Sequence, residues 1–118
     1  MKQGENMKVT DILKKLNLTV IAGLNGLDRE VTGGYVSDLL SDVIGNAGKG
    51  NIWITLQSHI NIVAVASLKD ISAIIIVRGT RPDEHTIIKS NEENIPVLST
   101  EEDTFKISGR LFELLRKE

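Results

Sequence analysis

Two short, strongly apolar segments, residues 51–56 and residues 73–77, constrain the fold of this chain more than any other feature. Both are rich in isoleucine, and the second (Ala73, Ile74, Ile75, Ile76, Val77) has no polar residue at all. Runs of this kind suit strands covered on both faces, the situation of a parallel sheet. Parallel neighbours need a crossover of about a dozen residues or more, and residues 57–72 supply that length. Propensity leaves residues 60–68 open between buried strand and buried helix. The crossover requirement selects helix.

The remaining segments alternate in the same way. Val9, Ile12, Leu13 and Leu16 fall at i, i+3, i+4 and i+7, which predicts a short amphipathic helix stopped at Asn17. Residues 18–22 predict a strand, and Asn25-Gly26 a tight turn from which residues 27–36 return as a second short strand. Ser37 and Asp38 are expected to open a helix with apolar positions Val36, Leu39, Leu40, Val43, Ile44 and Ala47, ended by Gly48 or Gly50. Pro82 with Asp83 and Glu84 marks another helix start, with Ile87 and Ile88 facing the sheet. Residues 95–98 predict a strand, and residues 99–102 (Ser-Thr-Glu-Glu) fit a capping box before a last helix. That helix is expected to pack through Phe105, Leu111, Phe112 and Leu115, with Gly109 allowing close approach.

The expected fold class is therefore α/β: a three-layer α/β/α sandwich around a mainly parallel or mixed sheet of about four to five strands. Residues 1–6 are polar and aperiodic, and are expected to be a disordered tail or the lead to an alternative start at Met7. Residues 7–118 then form a single domain. A domain of this size leaves much apolar surface uncovered, so a homodimer or larger oligomer is expected.

Composition removes whole classes of chemistry. The chain has no cysteine, which excludes disulfides, thiolate zinc sites, iron–sulfur clusters and cysteine nucleophiles. His59 and His85 lie in different segments without ligand spacing, so neither a metal nor another cofactor is expected. With 16 acidic and 14 basic residues the net charge is −2, giving no field to hold a polyanion, and nucleic acid is not an expected partner. No apolar run approaches the roughly 20 residues of a membrane span, so no membrane association and a cytoplasmic setting are expected. Neither the phosphate-loop nor the dinucleotide glycine pattern occurs, and there is no G-x-S-x-G elbow. Asp38 and Asp42, spaced i, i+4, read either as a cation pair or as a solvated helix face. Tyr35 and Trp53 are too few for a stacking platform.

In parallel α/β sheets ligands gather at the carboxyl ends of the strands, where loops feed helix N-termini. That rule gathers Thr55, Gln57, His59 and Asn61 after one strand and Arg78, Gly79 and Thr80 after the next. Gly33, Gly34, Ser37 and Asp38 join them from the preceding segment. Backbone N–H groups and an arginine fork suit a phosphate or carboxylate; the plainer alternative is that these residues cap helices and fill turns. His59 is a candidate acid–base group for a small phosphoryl- or acyl-transferase, but no complete set of nucleophile, base and orienting partner accompanies it. No catalytic residue is assigned.

These residues carry a resemblance. The string from Val31 to Val43, Val-Thr-Gly-Gly-Tyr-Val-Ser-Asp-Leu-Leu-Ser-Asp-Val, is its most specific part. With it go Trp53-Ile54-Thr55, Gln57, His59, Asn61-Ile62, Ala64-Val65-Ala66, Pro82-Asp83-Glu84, Ile95-Pro96-Val97-Leu98 and Asp103-Thr104-Phe105. Together they resemble the small stand-alone DRTGG-domain proteins over most of residues 7–115. That family is similar to the N-terminal domain of HPr kinase/phosphorylase, to domains beside CBS pairs and to parts of some phosphotransacetylases. The resemblance implies an α/β/α fold, a regulatory or ligand-sensing role, frequent self-association and no catalysis of its own. The chain departs from the name-giving pattern twice. Gln57-Ser58-His59-Ile60 stands where relatives carry an acidic-arginine pair, and Arg78-Gly79-Thr80 where they carry Thr-Gly-Gly, so only the middle glycine survives. The expected function is a non-catalytic module binding a small anionic metabolite or nucleotide and acting through oligomerisation or a partner protein. The alternative is a pure protein-interaction module with a signalling partner and no ligand.

Overall fold

The computed structural model describes residues 7–116. The expected tail at residues 1–6 lies outside them. Five strands form one sheet in the order β1-β5-β4-β3-β2: β1 (Thr19–Ala22), β2 (Gly33–Val36), β3 (Asn51–Thr55), β4 (Ala73–Ile76) and β5 (Val97–Ser99). Strands β2 to β5 run parallel, with Ile54 level with Ile75 and Ile75 level with Leu98; β1 closes the far edge antiparallel to β5. The sheet is mixed but mostly parallel, as the two apolar runs require.

Helices cover both faces. On one side α1 (Val9–Lys15) and α5 (Thr104–Arg116) bury Val9, Ile12, Ile107 and Leu111 against Ile52, Ile54, Ile75 and Leu98. On the other, α2 (Leu40–Asn46), α3 (Asn61–Lys69) and α4 (Glu84–Glu93) cover Trp53, Ile74, Ile76 and Val97. Successive strand residues therefore alternate between two dry layers, which is why residues 73–77 contain no polar position and why Thr55 of the other run is fully buried. Each fully buried isoleucine contributes roughly 1.5–3 kcal/mol by leaving water. Helices α2, α3 and α4 are the three crossovers of the parallel set and share one face, as a chain of same-handed connections requires. No described helix is long and apolar enough to cross a membrane.

Several local expectations are corrected. Residues 27–36 do not return beside β1. Their strand, β2, sits at the opposite edge, while Asn25 and Gly26 lie in a short 3₁₀ turn whose left-handed residue is Gly23, at φ 78°. Ser37 and Asp38 precede α2 rather than opening it, and only Val43 and Ala47 of the expected stripe are buried. Ile87 packs inward but Ile88 is exposed. Residues 99–102 make no capping box; instead the Asp103 carboxylate caps α5 by accepting the Lys106 backbone N–H at 2.9 Å. Ile107 and Leu111, with Leu114 and Leu115, form the true inner face of α5, and Phe105 and Phe112 point outward.

Candidate functional site

The carboxyl ends of β2, β3, β4 and β5 open on one rim of the sheet, and the backbone ties their loops together. Ser37 N–H donates to the Ile54 carbonyl (3.2 Å), Val77 N–H to Thr55 (3.1 Å) and Thr100 N–H to Ile76 (3.2 Å). The strand order does not reverse within the parallel set, so the rim has no switch-point crevice of the kind found in doubly wound sheets. It is an open shelf instead.

Asp38 organises the β2–β3 half. Its Oδ1 accepts the Thr55 hydroxyl at 2.8 Å and the Leu56 N–H at 2.7 Å, while the Gln57 side-chain amide donates to its carbonyl at 2.8 Å. Thr55 is fully buried and its Oγ1 also accepts the Gln57 N–H at 3.1 Å. Thr55, Gln57 and Asp38 are thus mutually engaged and form the floor of the shelf. Ser37 joins them, since its carbonyl accepts the Trp53 indole N–H at 2.8 Å and its hydroxyl accepts the Leu39 N–H at 3.1 Å. Asp38 and Asp42 take separate hydrogen-bond partners. Asp42 accepts from the Tyr35 hydroxyl (2.8 Å) and the Asn46 amide (3.0 Å). Hydrogen bonds from Ser37, Tyr35 and Asn46 hold the Asp42 carboxyl below its ordinary range, and the bond to Asp42 raises the Tyr35 phenol above its own.

The β3–β4 half presents the outward groups. His59 is exposed, and its Nδ1 accepts the Asn61 N–H at 3.2 Å, which leaves Nε2 as the ring atom open to a ligand. Among the described residues no carboxylate hydrogen-bonds His59, so the orienting partner that acid–base catalysis needs is missing. The Ser58 carbonyl accepts the Asp83 N–H (3.1 Å) and the buried Thr86 hydroxyl (2.8 Å), which fixes this loop to the start of α4. Arg78 and Gly79 follow β4 with consecutive left-handed backbones, φ 60° and 63°, and both are exposed. Their N–H groups donate to Glu102 (2.9 Å) and Thr100 (2.8 Å), and Thr80 N–H closes the turn on Val77 (3.1 Å).

Gly33 and Gly34 open β2 level with Asn51 and Ile52, at the strand's other end from the rim. The residues that sequence reasoning missed are acidic. Glu101, Glu102 and Asp103 line a cleft with Arg78 and Lys106, and a Cβ on Gly79 would stand 2.7 Å from the Glu101 carboxylate. Glu102 is ion-paired with Arg110 of α5. The positive φ of Arg78 and Gly79 turns that loop toward residues 100–102, and nothing local in the sequence announces it. Among the described residues no three His, Cys, Asp or Glu side chains come close enough to hold a metal ion.

The arrangement is an α/β/α sandwich whose mixed, mostly parallel sheet gathers polar loops at the carboxyl ends of its parallel strands. The chain belongs to the DRTGG-domain family, whose model matches residues 11–114. Among solved structures it is similar to the CBS and DRTGG domains of the regulatory region of Clostridium perfringens pyrophosphatase, complexed with its activator diadenosine tetraphosphate. The TM-score is 0.68 at 20% identity, over 88% of this chain and 45% of that one. This chain thus spans less than half the length of that structure, and the likeness is one of fold. No curated protein matches the sequence.

Proposed function

We propose that residues 7–118 act as one non-catalytic regulatory module in the cytoplasm, binding a small anionic metabolite or nucleotide on the rim and reporting its presence through self-association or a signalling partner. The observation that carries this reading is Arg78. It is exposed after β4, next to Gly79, and keeps a left-handed backbone that residues other than glycine, asparagine and aspartate rarely adopt. His59 Nε2, the Arg78 fork and the Thr80 hydroxyl would meet the phosphates, and Asn61 the sugar or base. Asp38, Thr55 and Gln57 would support the shelf from beneath. The similar fold in a regulatory region crystallised with a dinucleoside tetraphosphate supports the choice of ligand class.

Calorimetric titration of the full chain with diadenosine tetraphosphate, adenine mononucleotides and phosphorylated metabolites tests the reading. Saturable binding is expected for at least one, weakened roughly tenfold by Arg78→Ala or His59→Ala, since a charge-assisted hydrogen bond is worth about 1.5–3 kcal/mol. A panel without binding would leave the interaction module. Turnover that vanishes with His59→Ala would make the protein an enzyme.

A further inference from the structure

The outer face of α5 carries a pattern that the fold itself does not use. Phe105, Gly109 and Phe112 follow one another at i, i+4 and i+7, a stripe along one side of the helix that ends at Arg116, whose guanidinium is ion-paired with Glu113. Phe105 is 88% exposed and Phe112 66%. Gly109 sits between them although glycine is a poor helix former; its backbone is not left-handed, and a Cβ there would meet nothing within 4 Å. Neither conformation nor packing within the chain calls for glycine at this position. What it produces is a notch, and an open groove lined by Phe105, Gly109 and Phe112 runs along the helix to Lys15 and Leu16 at the end of α1.

We propose that this stripe is the contact with a second copy of the chain, packed as an antiparallel α5–α5 pair about a two-fold axis at Gly109. At 100° per residue, Phe105 and Phe112 lie on one flank of Gly109, and Lys106 and Glu113 on the other. A two-fold axis normal to the plane of the two helices brings like flanks together with their ends reversed. Phe105 then meets Phe112 of the second copy within a residue of register, and Lys106 meets its Glu113. Both flanks are complementary to themselves, apolar to apolar and cation to anion, while facing glycines let the helices approach closely. A parallel pair would bring unlike flanks together, setting the charged Lys106 against Phe105 and Glu113 against Phe112. Phe112 also walls a small apolar cleft with Val36 and Leu115, which extends the contact onto the β2 edge.

The inference deepens the self-association in the proposed function but needs no ligand, so the two fail separately. Sedimentation equilibrium of the full chain over a concentration series tests it, with thermal melts to verify folding. A dimer is expected, weakened roughly tenfold or more by Phe112→Ser and by Gly109→Gln, the latter a change that improves helix propensity and so leaves folding intact. Lys106→Glu and Glu113→Lys should each weaken the dimer, and the double variant should restore it. A chain monomeric to its solubility limit, a dimer indifferent to Gly109→Gln, or a double variant no better than the singles overturns the proposal.

Discussion

Arg78 holds a conformation, φ 60°, in which an L-residue brings its Cβ close to the following carbonyl oxygen. That contact costs about 1–2 kcal/mol, and glycine avoids it at the expense of greater freedom in the unfolded chain, so Arg78→Gly is expected to stabilise the fold by a net ~0.5–1 kcal/mol. The same change removes the guanidinium that the proposed ligand would meet. Urea unfolding should show a higher midpoint and calorimetry a weaker ligand, a trade of stability for binding. A variant that is both less stable and unchanged in affinity would show that the arginine serves packing. Asn17, Asp70 and Asn94 also have positive φ, but they follow α1, α3 and α4, where a short polar side chain tolerates that geometry. An arginine in a strand-to-helix loop is a different matter. The rule that ligands gather at carboxyl ends locates this residue from sequence. Its dihedral is set by the Glu102 and Thr100 carbonyls, more than 20 positions away, and no local pattern carries that.

Between elements, the pair β2 and α2 shows which parts of the fold were legible and which were not. Apolar runs and the crossover rule place β3, α3 and β4 because each of those decisions is local or topological. Strand β2 escapes the same reasoning. Asn25-Gly26 is a genuine turn, but the turn is shaped by residues 94–96: a Cβ on Gly23 would lie 2.1 Å from the Ile95 carbonyl oxygen, and the Gly23 N–H donates to Asn91 Oδ1 at 2.8 Å. The chain therefore leaves β1 rather than folding back on it. In α5 periodicity identifies a helix but cannot choose its inner stripe, because Phe105 and Phe112 are as apolar as Ile107 and Leu111. The Tyr35–Asp42 bond that fastens β2 to α2 gives a prediction of its own. Asp42 titrates below its ordinary range in the folded chain, so its contribution is complete above the usual carboxylate pKa and is lost as the pH falls through the lowered folded value. Tyr35 titrates above its ordinary range, so its contribution is complete below the usual phenol pKa and fades as the pH rises through the raised one. Melting temperature measured against pH should therefore fall less steeply at both extremes in Tyr35→Phe than in the parent chain. Parallel curves would show that the bond has no bearing on stability.

At the scale of the whole molecule the rim and the outer face of α5 are joined by one segment, residues 100–103. The Arg78 and Gly79 N–H groups donate to its carbonyls, the Glu101 carboxylate lies over Gly79, Asp103 caps α5, and Glu102 reaches along the helix to Arg110. An anion seated on Arg78 would lie in the same cleft as the Glu101, Glu102 and Asp103 carboxylates, and their like-charge repulsion falls on the first turn of α5. Phe105 belongs to that turn. A ligand on the rim should therefore change the affinity of the α5–α5 contact, and by linkage dimerisation must change ligand affinity by the same factor. Coupling between sites is typically about 5–150-fold. Sedimentation equilibrium with and without saturating ligand should show a shift of that order in the dimer constant, and calorimetry at protein concentrations above and below that constant should return the same ratio. Arg110→Ala, which cuts the link to Glu102 while leaving Arg78 and the Gly109 notch in place, should bring the ratio toward one with binding and dimerisation both retained. If the parent chain binds its ligand and dimerises with a ratio of one, the two surfaces work independently, and the signal must leave the rim through a partner protein seated on the shelf itself.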